Sequence, residues 1–195
     1  MRSLLLRQGL LALCAMIVVA CAGAEDKPAP STQSAPSAET APALPERSIK
    51  LFNTHTNETV SLVFKRGDDF DPDALEKLNH VALDHRSGES HDMDAKLFDQ
   101  LFDLAQACGV APDFEIISGY RSAESNAKMA AREGSGVAKK SLHMQGRAID
   151  VRLRKCATSK LRDLALEAKK GGVGYYQRSD FVHVDTGSFR TWTGK

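Results

Sequence analysis

Apolar positions along this chain recur with two different spacings, and the switches between them mark the elements. Ser48–Phe52 and Thr59–Phe64 are β-rich runs, and the polar His55-Thr56-Asn57-Glu58 between them predicts a hairpin turn. From Pro72 the spacing becomes helical, with Leu75, Leu78 and Val81 on one face and the proline at the start. Asp94–Ala107 reads as a second amphipathic helix: Leu97, Leu101 and Leu104 share a face, Phe98 and Phe102 flank it, and Gly109 is a natural stop. Phe114–Ile117 is a short strand, and Ser122–Arg132, polar and alanine-rich, a more exposed third helix. A flexible loop over Gly134–Lys140 leads to a strand at Ala148–Leu153 and a fourth helix at Ser159–Lys170. Gly171–Gly174 predicts a tight turn, and Tyr175-Tyr176 and Phe181–Val184 are closing strands. No internal repeat is visible. Strands grouped at both ends with helices between them predict an α+β domain with a mainly antiparallel sheet.

The first residues follow a different pattern. Arg2 and Arg7 precede an apolar run, Leu10–Ala20, too short to span a bilayer comfortably, and small residues follow. This predicts a secretory signal over residues 1–24. Val18-Val19-Ala20-Cys21 resembles a lipobox, which would make Cys21 the lipidated first residue; Ala22-Gly23-Ala24 offers instead a site that would release a soluble protein at Glu25. The lipoprotein reading is preferred because Cys21 stands at the very end of the apolar run. Either way the chain is exported, to the periplasm, and touches a membrane only through that lipid. Residues 25–46, rich in Pro, Ala, Ser and Thr, read as a disordered tether, which leaves 47–195 as one folded domain, expected to be a monomer.

Charge adds little. The formal net charge is +1, with 26% charged and 42% apolar residues, which fits a soluble globular protein and gives no basis for a nucleic-acid partner. Export changes how the cysteines read. Cys108 and Cys156 are the two of the folded domain, and in an oxidising compartment they form either one disulfide or two buried thiols. Neither has a neighbouring cysteine or histidine in the sequence, which disfavours a zinc–thiolate site.

The chemistry concentrates in two stretches, Ser141-Leu142-His143-Met144-Gln145-Gly146-Arg147-Ala148-Ile149-Asp150 and Asp180-Phe181-Val182-His183-Val184-Asp185. They offer two imidazoles and several carboxylates near strand ends. A hydrolytic zinc takes three N/O ligands and keeps one position open. His143 and Asp150 are not at a helical spacing, so they can meet only if the loop carrying His143 folds back over the strand carrying Asp150.

The pattern S-x-H-x-x-G-x-A-x-D, followed by an acid, two residues and a histidine, resembles the zinc peptidases related to D-alanyl-D-alanine carboxypeptidases, whose fold is shared with the Hedgehog signalling domain. Leu51–Glu58, Asp84–Glu89 and Ser118–Ser122 resemble the bacterial branch of that family containing murein endopeptidase K. The resemblance spans Ser48 to the C-terminus and implies a Hedgehog/D-peptidase-like α+β fold, a Zn2+ cofactor, and peptidoglycan peptides as substrate. It implies His143, Asp150 and His183 as metal ligands, Asp180 as general base, and Arg121 as the cation that stabilises the oxyanion. Ser141 is implied to touch substrate or a ligand. For Asp185, two readings stay open: a partner that orients a ligand, or an exposed strand-end carboxylate. Asp180 stands where glutamate is frequent in the family, and Val182 where an aromatic is usual. His55, His80, His85 and His91 read as fold or surface residues, with His85 near the site; Tyr175 and Tyr176 read as packing. The expected function is murein endopeptidase; the alternatives are a D,D- or L,D-carboxypeptidase or dipeptidase, and a non-catalytic wall-binding module with a structural zinc.

Overall fold

The computed structural model describes residues 44–134 and 136–194. The signal, the lipobox cysteine and most of the tether lie outside the described residues. Among the described residues no helix is long and apolar enough to cross a membrane.

Eight strands form a single sheet. In chain order they are β1 (Glu46–Asn53), β2 (Thr59–Arg66), β3 (Asp69–Phe70), β4 (Asp113–Ser118), β5 (Ala148–Leu153), β6 (Gly172–Tyr176), β7 (Phe181–Asp185) and β8 (Arg190–Thr193). Across the sheet the order is β3-β2-β1-β4-β5-β7-β6-β8. Only β1–β4 and β6–β8 pair in parallel. The fold is α+β with a mainly antiparallel sheet, as the sequence predicts.

Alternation assigns the two faces. Ile49 and Leu51, Phe114 and Ile116, Ile149, Val151 and Leu153, and Val182 and Val184 are all buried in one core. They meet the helices α1 (Pro72–Val81), α2 (Ala95–Cys108) and α4 (Thr158–Ala168), which contribute Leu78, Leu97, Leu101 and Leu161. Period two then turns Asp150, His183 and Asp185 to the opposite face.

The helices start and stop on local signals. Asp71 accepts from Ala74 N with Pro72 in the first turn of α1. Asp94 accepts from Lys96 N at the start of α2, which ends on Gly109 at φ 77°. Ser122 accepts from Ser125 N and opens α3 (Ala123–Ala130). Cys108, at the end of α2, and Cys156, after β5, are joined by a disulfide.

Two stretches after α4 depart from the sequence expectation. Gly171–Gly174 is not simply a turn: Gly172, Val173 and Gly174 lie within β6. A side chain at Gly174 would stand 2.5 Å from the Trp192 indole, so glycine there reflects close approach by a neighbouring strand. That neighbour, β8, has no sequence counterpart in the predicted elements: it is four residues long and three of them are exposed, so its apolar signal is weak.

Candidate metal centre

β5 and β7 run antiparallel with Asp150 directly opposite His183. Such a pair places Cβ atoms about 5 Å apart. His143 arrives from a one-turn 3₁₀ helix, Leu142–Gln145, which leads straight into β5. Ser141 caps that turn by accepting from His143 N at 3.3 Å. Gly146 ends it at φ 64°, and a Cβ there would fall 2.0 Å from the Asp92 carbonyl oxygen. Only glycine meets both conditions. The loop carrying His143 thus folds back over the strand carrying Asp150.

Three donor atoms converge. His183 Nδ1 lies 2.8 Å from Asp150 Oδ1, His143 Nε2 lies 3.3 Å from the same oxygen, and the two imidazole nitrogens are 3.2 Å apart. All three residues are buried, and one ligand atom of each lies within 4.8 Å of the others. The remaining ring nitrogens are engaged outward. His143 Nδ1 donates to the Gly119 carbonyl at 2.7 Å, and His183 Nε2 donates to Asp185 Oδ2 at 3.0 Å. A carbonyl and a carboxylate only accept, so in the neutral rings the lone pairs of His143 Nε2 and His183 Nδ1 both face the cluster. Ligands on a tetrahedral zinc with bonds of 2.0–2.1 Å stand about 3.3 Å apart, so the donor set and its spacing fit that ion.

Burial and charge act together here. Burial alone raises a carboxyl's pKa, but His143 and His183 outweigh it and hold Asp150 well below the usual range. Burial pushes the His143 imidazole down. For His183 burial also disfavours the charged ring, yet hydrogen bonds to Asp150 and Asp185 prevail and raise its pKa. Arg121 is 5% exposed. Its guanidinium lies 3.9 Å from Asp150 Oδ2 and donates to Asn126 Oδ1 and Ser118 Oγ, both at 3.3 Å. Its Nε is buried with no partner among the described residues.

Comparison with known proteins fits this geometry. The family model Peptidase_M15_2, described as peptidoglycan L,D-endopeptidase MepK, matches residues 41–192. The chain belongs to this family. It is similar to the peptidoglycan L,D-endopeptidase MepK of Escherichia coli strain K12, with 43% identity over 146 residues, 75% of this chain and 80% of that protein. The probable peptidoglycan L,D-endopeptidase MepK of Haemophilus influenzae is 40% identical over 149 residues, 76% of this chain and 80% of that protein. No solved structure gives a significant match.

Within this Peptidase_M15_2 chain the fold brings together His143, Asp150, His183, Arg121 and Asp185, with Ser141 capping the His143 turn. It does not bring Asp180 to them. Asp180 sits at φ 52° in the turn before β7, its side chain 65% exposed. Its carboxylate accepts from Thr158 Oγ1, at the start of α4, and pairs with Arg152 at 3.7 Å. With Glu115, Arg154 and Cys156 these residues line a depression of about 290 Å³ that contains none of His143, Asp150 and His183. The base role expected for Asp180 therefore gains no support from its position: its carboxylate is already committed to Thr158 and Arg152.

Asp185 is fully buried, which excludes the exposed strand-end reading. His183, Arg190 and the Gly172 and Gly187 amides hold its carboxylate, and they keep its pKa well down despite burial. Sequence reasoning missed Arg190 and Trp192. Arg190 Nη2 donates to Asp185 Oδ2 at 2.6 Å, and the Trp192 ring stands 4.9 Å from that of His183. The only available signal was their distance of a few residues beyond the His-Val-Asp stretch, which carries no chemistry by itself. His85 stacks on His55 with centroids 3.7 Å apart, close enough to Arg121 to feel its charge.

Proposed function

We propose that this chain is a zinc-dependent murein endopeptidase that hydrolyses a peptide bond in the stems or crosslinks of peptidoglycan, an L,D bond as in the names of its relatives. The observation that carries the reading is the convergence of His143 Nε2, Asp150 Oδ1 and His183 Nδ1, with the second nitrogen of each imidazole already committed elsewhere. These three residues would hold the ion. Two imidazoles and a carboxylate suit zinc, which when bound supplies Lewis acidity and makes hydroxide available near neutral pH.

The chain's own groups divide the remaining work. The proton on His143 Nδ1 is held by the Gly119 carbonyl and that on His183 Nε2 by Asp185, so both rings act as ligands rather than as proton carriers. Arg121 is a buried cation beside Asp150 with a free Nε–H. It is suited to receive the negative charge that develops on a scissile carbonyl oxygen, a role worth about 10²–10³ in rate for one good donor. Trp192, whose Nε1 donates to the Tyr176 hydroxyl, lies against His183 and offers an aromatic surface beside the cluster for a substrate peptide. Export to the periplasm, with Cys21 as a lipid anchor and 47–195 as the working domain, fits such a substrate.

The test is mass analysis of purified, crosslinked peptidoglycan incubated with the zinc-loaded chain. New monomeric muropeptides whose masses place the cut at an L,D bond are the expected result. Loss of a terminal residue alone would move the reading to a carboxypeptidase. Unchanged muropeptides with zinc bound would move it to a wall-binding module.

A further inference from the structure

We propose that Arg190, on the C-terminal strand β8, is a positioning residue for His183, acting through Asp185. The proposal rests on the reading of His143, Asp150 and His183 as a metal triad. Asp185 is completely buried, and both of its oxygens are fully used. Oδ2 accepts from His183 Nε2 at 3.0 Å and from Arg190 Nη2 at 2.6 Å. Oδ1 accepts from Arg190 Nη1 at 3.1 Å, from Gly172 N at 2.9 Å and from Gly187 N at 2.8 Å. The guanidinium therefore grips the carboxylate with two parallel bonds, an arrangement that fixes orientation as well as charge. A buried carboxylate without a counter-charge is costly. Arg190 provides that charge and fixes the orientation of the Asp185 carboxylate, which in turn holds the Nε2–H of His183. The consequence is at the other nitrogen: Nδ1 keeps its lone pair on the cluster and the ring cannot rotate away.

The same strand holds the ring from a second side. β8 pairs in parallel with β6, Gly174 opposite Trp192. With no side chain on Gly174, the Trp192 indole lies over the strand and against His183, and its Nε1 donates to the Tyr176 hydroxyl at 3.0 Å. Arg190 in turn packs over Trp192 at 5.2 Å. Charge is balanced as well: around the ligands the carboxylates of Asp150 and Asp185 face the guanidiniums of Arg121 and Arg190. Arg190 belongs to the edge of the sheet and its side chain is 46% exposed, so its removal leaves the hydrophobic core untouched.

The experiment uses the full chain with Arg190→Gln, Arg190→Lys and, as a control on the same strand, Thr191→Ala. Zinc affinity is measured by competition with a chromophoric chelator, the site geometry by the absorption spectrum of the Co2+-loaded chain, and folding by the melting point without metal. Arg190→Gln is expected to weaken zinc about 10–100-fold and to shift the cobalt spectrum; stripping the counter-charge from buried Asp185 also lowers the metal-free melting point, so affinity is compared at 25 °C, where the variant stays folded. Arg190→Lys, which keeps the charge but not the fork, should fall between it and wild type, and Thr191→Ala should match wild type. Zinc affinity within threefold of wild type in Arg190→Gln, or an equal loss in Thr191→Ala, would overturn the proposal while leaving the metal triad standing. A wild-type chain that binds neither ion would overturn the triad itself.

Discussion

Asp150 and His183 face each other across the β5–β7 ladder, and their Oδ1 and Nδ1 atoms are 2.8 Å apart. The register of two central strands therefore brings together two of the three candidate ligands before any loop contributes. Asp150→Asn preserves size and register but removes the negative charge that a divalent ion needs. It should cost more zinc affinity than the ~10–100-fold typical of an outer partner, with the fold retained. Chelator competition together with circular dichroism checks this; unchanged affinity would remove Asp150 from the ligand set.

Arg121 has a different expected signature. Its guanidinium touches Asp150 but offers no atom to a metal, so Arg121→Lys should retain zinc. Lysine cannot reproduce the planar fork that binds Ser118 and Asn126, so turnover should fall about 10²–10³-fold with the charge still present. Steady-state cleavage of a defined crosslinked muropeptide decides the matter, and wild-type turnover would exclude an oxyanion role.

Asp180 separates motif from position. Three residues before His183 it stands where the resemblance expects a general base, yet its carboxylate binds Thr158 and Arg152 at the start of β7. Asp180→Ala is expected to leave zinc binding intact and turnover within a few-fold of wild type. A drop beyond about 100-fold, with metal still bound, would return the base role to Asp180.

The reach of the sequence differs from element to element for physical reasons. The buried strands and helices announce themselves because Leu97, Leu101, Phe114 and Ile149 must face one core, which imposes period. The convergence of His143, Asp150 and His183 was legible only with the resemblance beside the spacing, since His143 and Asp150 sit at no regular interval and meet because the 3₁₀ turn ends on Gly146. The Arg190–Asp185 fork was not legible: a salt bridge leaves no periodic trace, and β8 is too short and exposed to register as a strand. Asp180 shows the converse, a residue whose place in a motif suggested a contact that the turn at φ 52° directs elsewhere.

His85 predicts a pH dependence away from the ligands. Burial, with Arg86, His55 and Arg121 nearby, lowers its pKa from 6.5 to about 4, against the opposing pull of Asp84. The folded chain thus binds fewer protons here than the unfolded chain. The stabilising contribution is complete above about pH 6.5 and is lost as pH falls toward 4. Denaturant midpoints recorded from pH 7 to pH 4 should decline less steeply for His85→Asn than for wild type. Metal release in acid affects both alike, so parallel curves would show that His85 takes up its proton in the folded state.

The disulfide sets a last expectation, on stability. Cys108 closes α2 and Cys156 follows β5, 48 residues later, where the chain turns into α4. The two helices pack on each other in one core, so the bond staples elements that already touch in the folded state. Its effect falls mainly on the unfolded chain, where a loop of this length loses entropy equivalent to about 4 kcal/mol in the chain-entropy treatment. For a domain of this size that corresponds to roughly 10 °C in melting temperature. The double variant Cys108→Ser, Cys156→Ser should melt lower by about that amount. It should also be insensitive to reductant, whereas wild type falls toward it when reduced. Because the staple lies on the helical face, opposite His183 and Asp150, zinc affinity at 25 °C should be unchanged in the double variant. A melting point within about 2 °C of wild type would mean that packing of α2 on α4 already holds this corner without the bond.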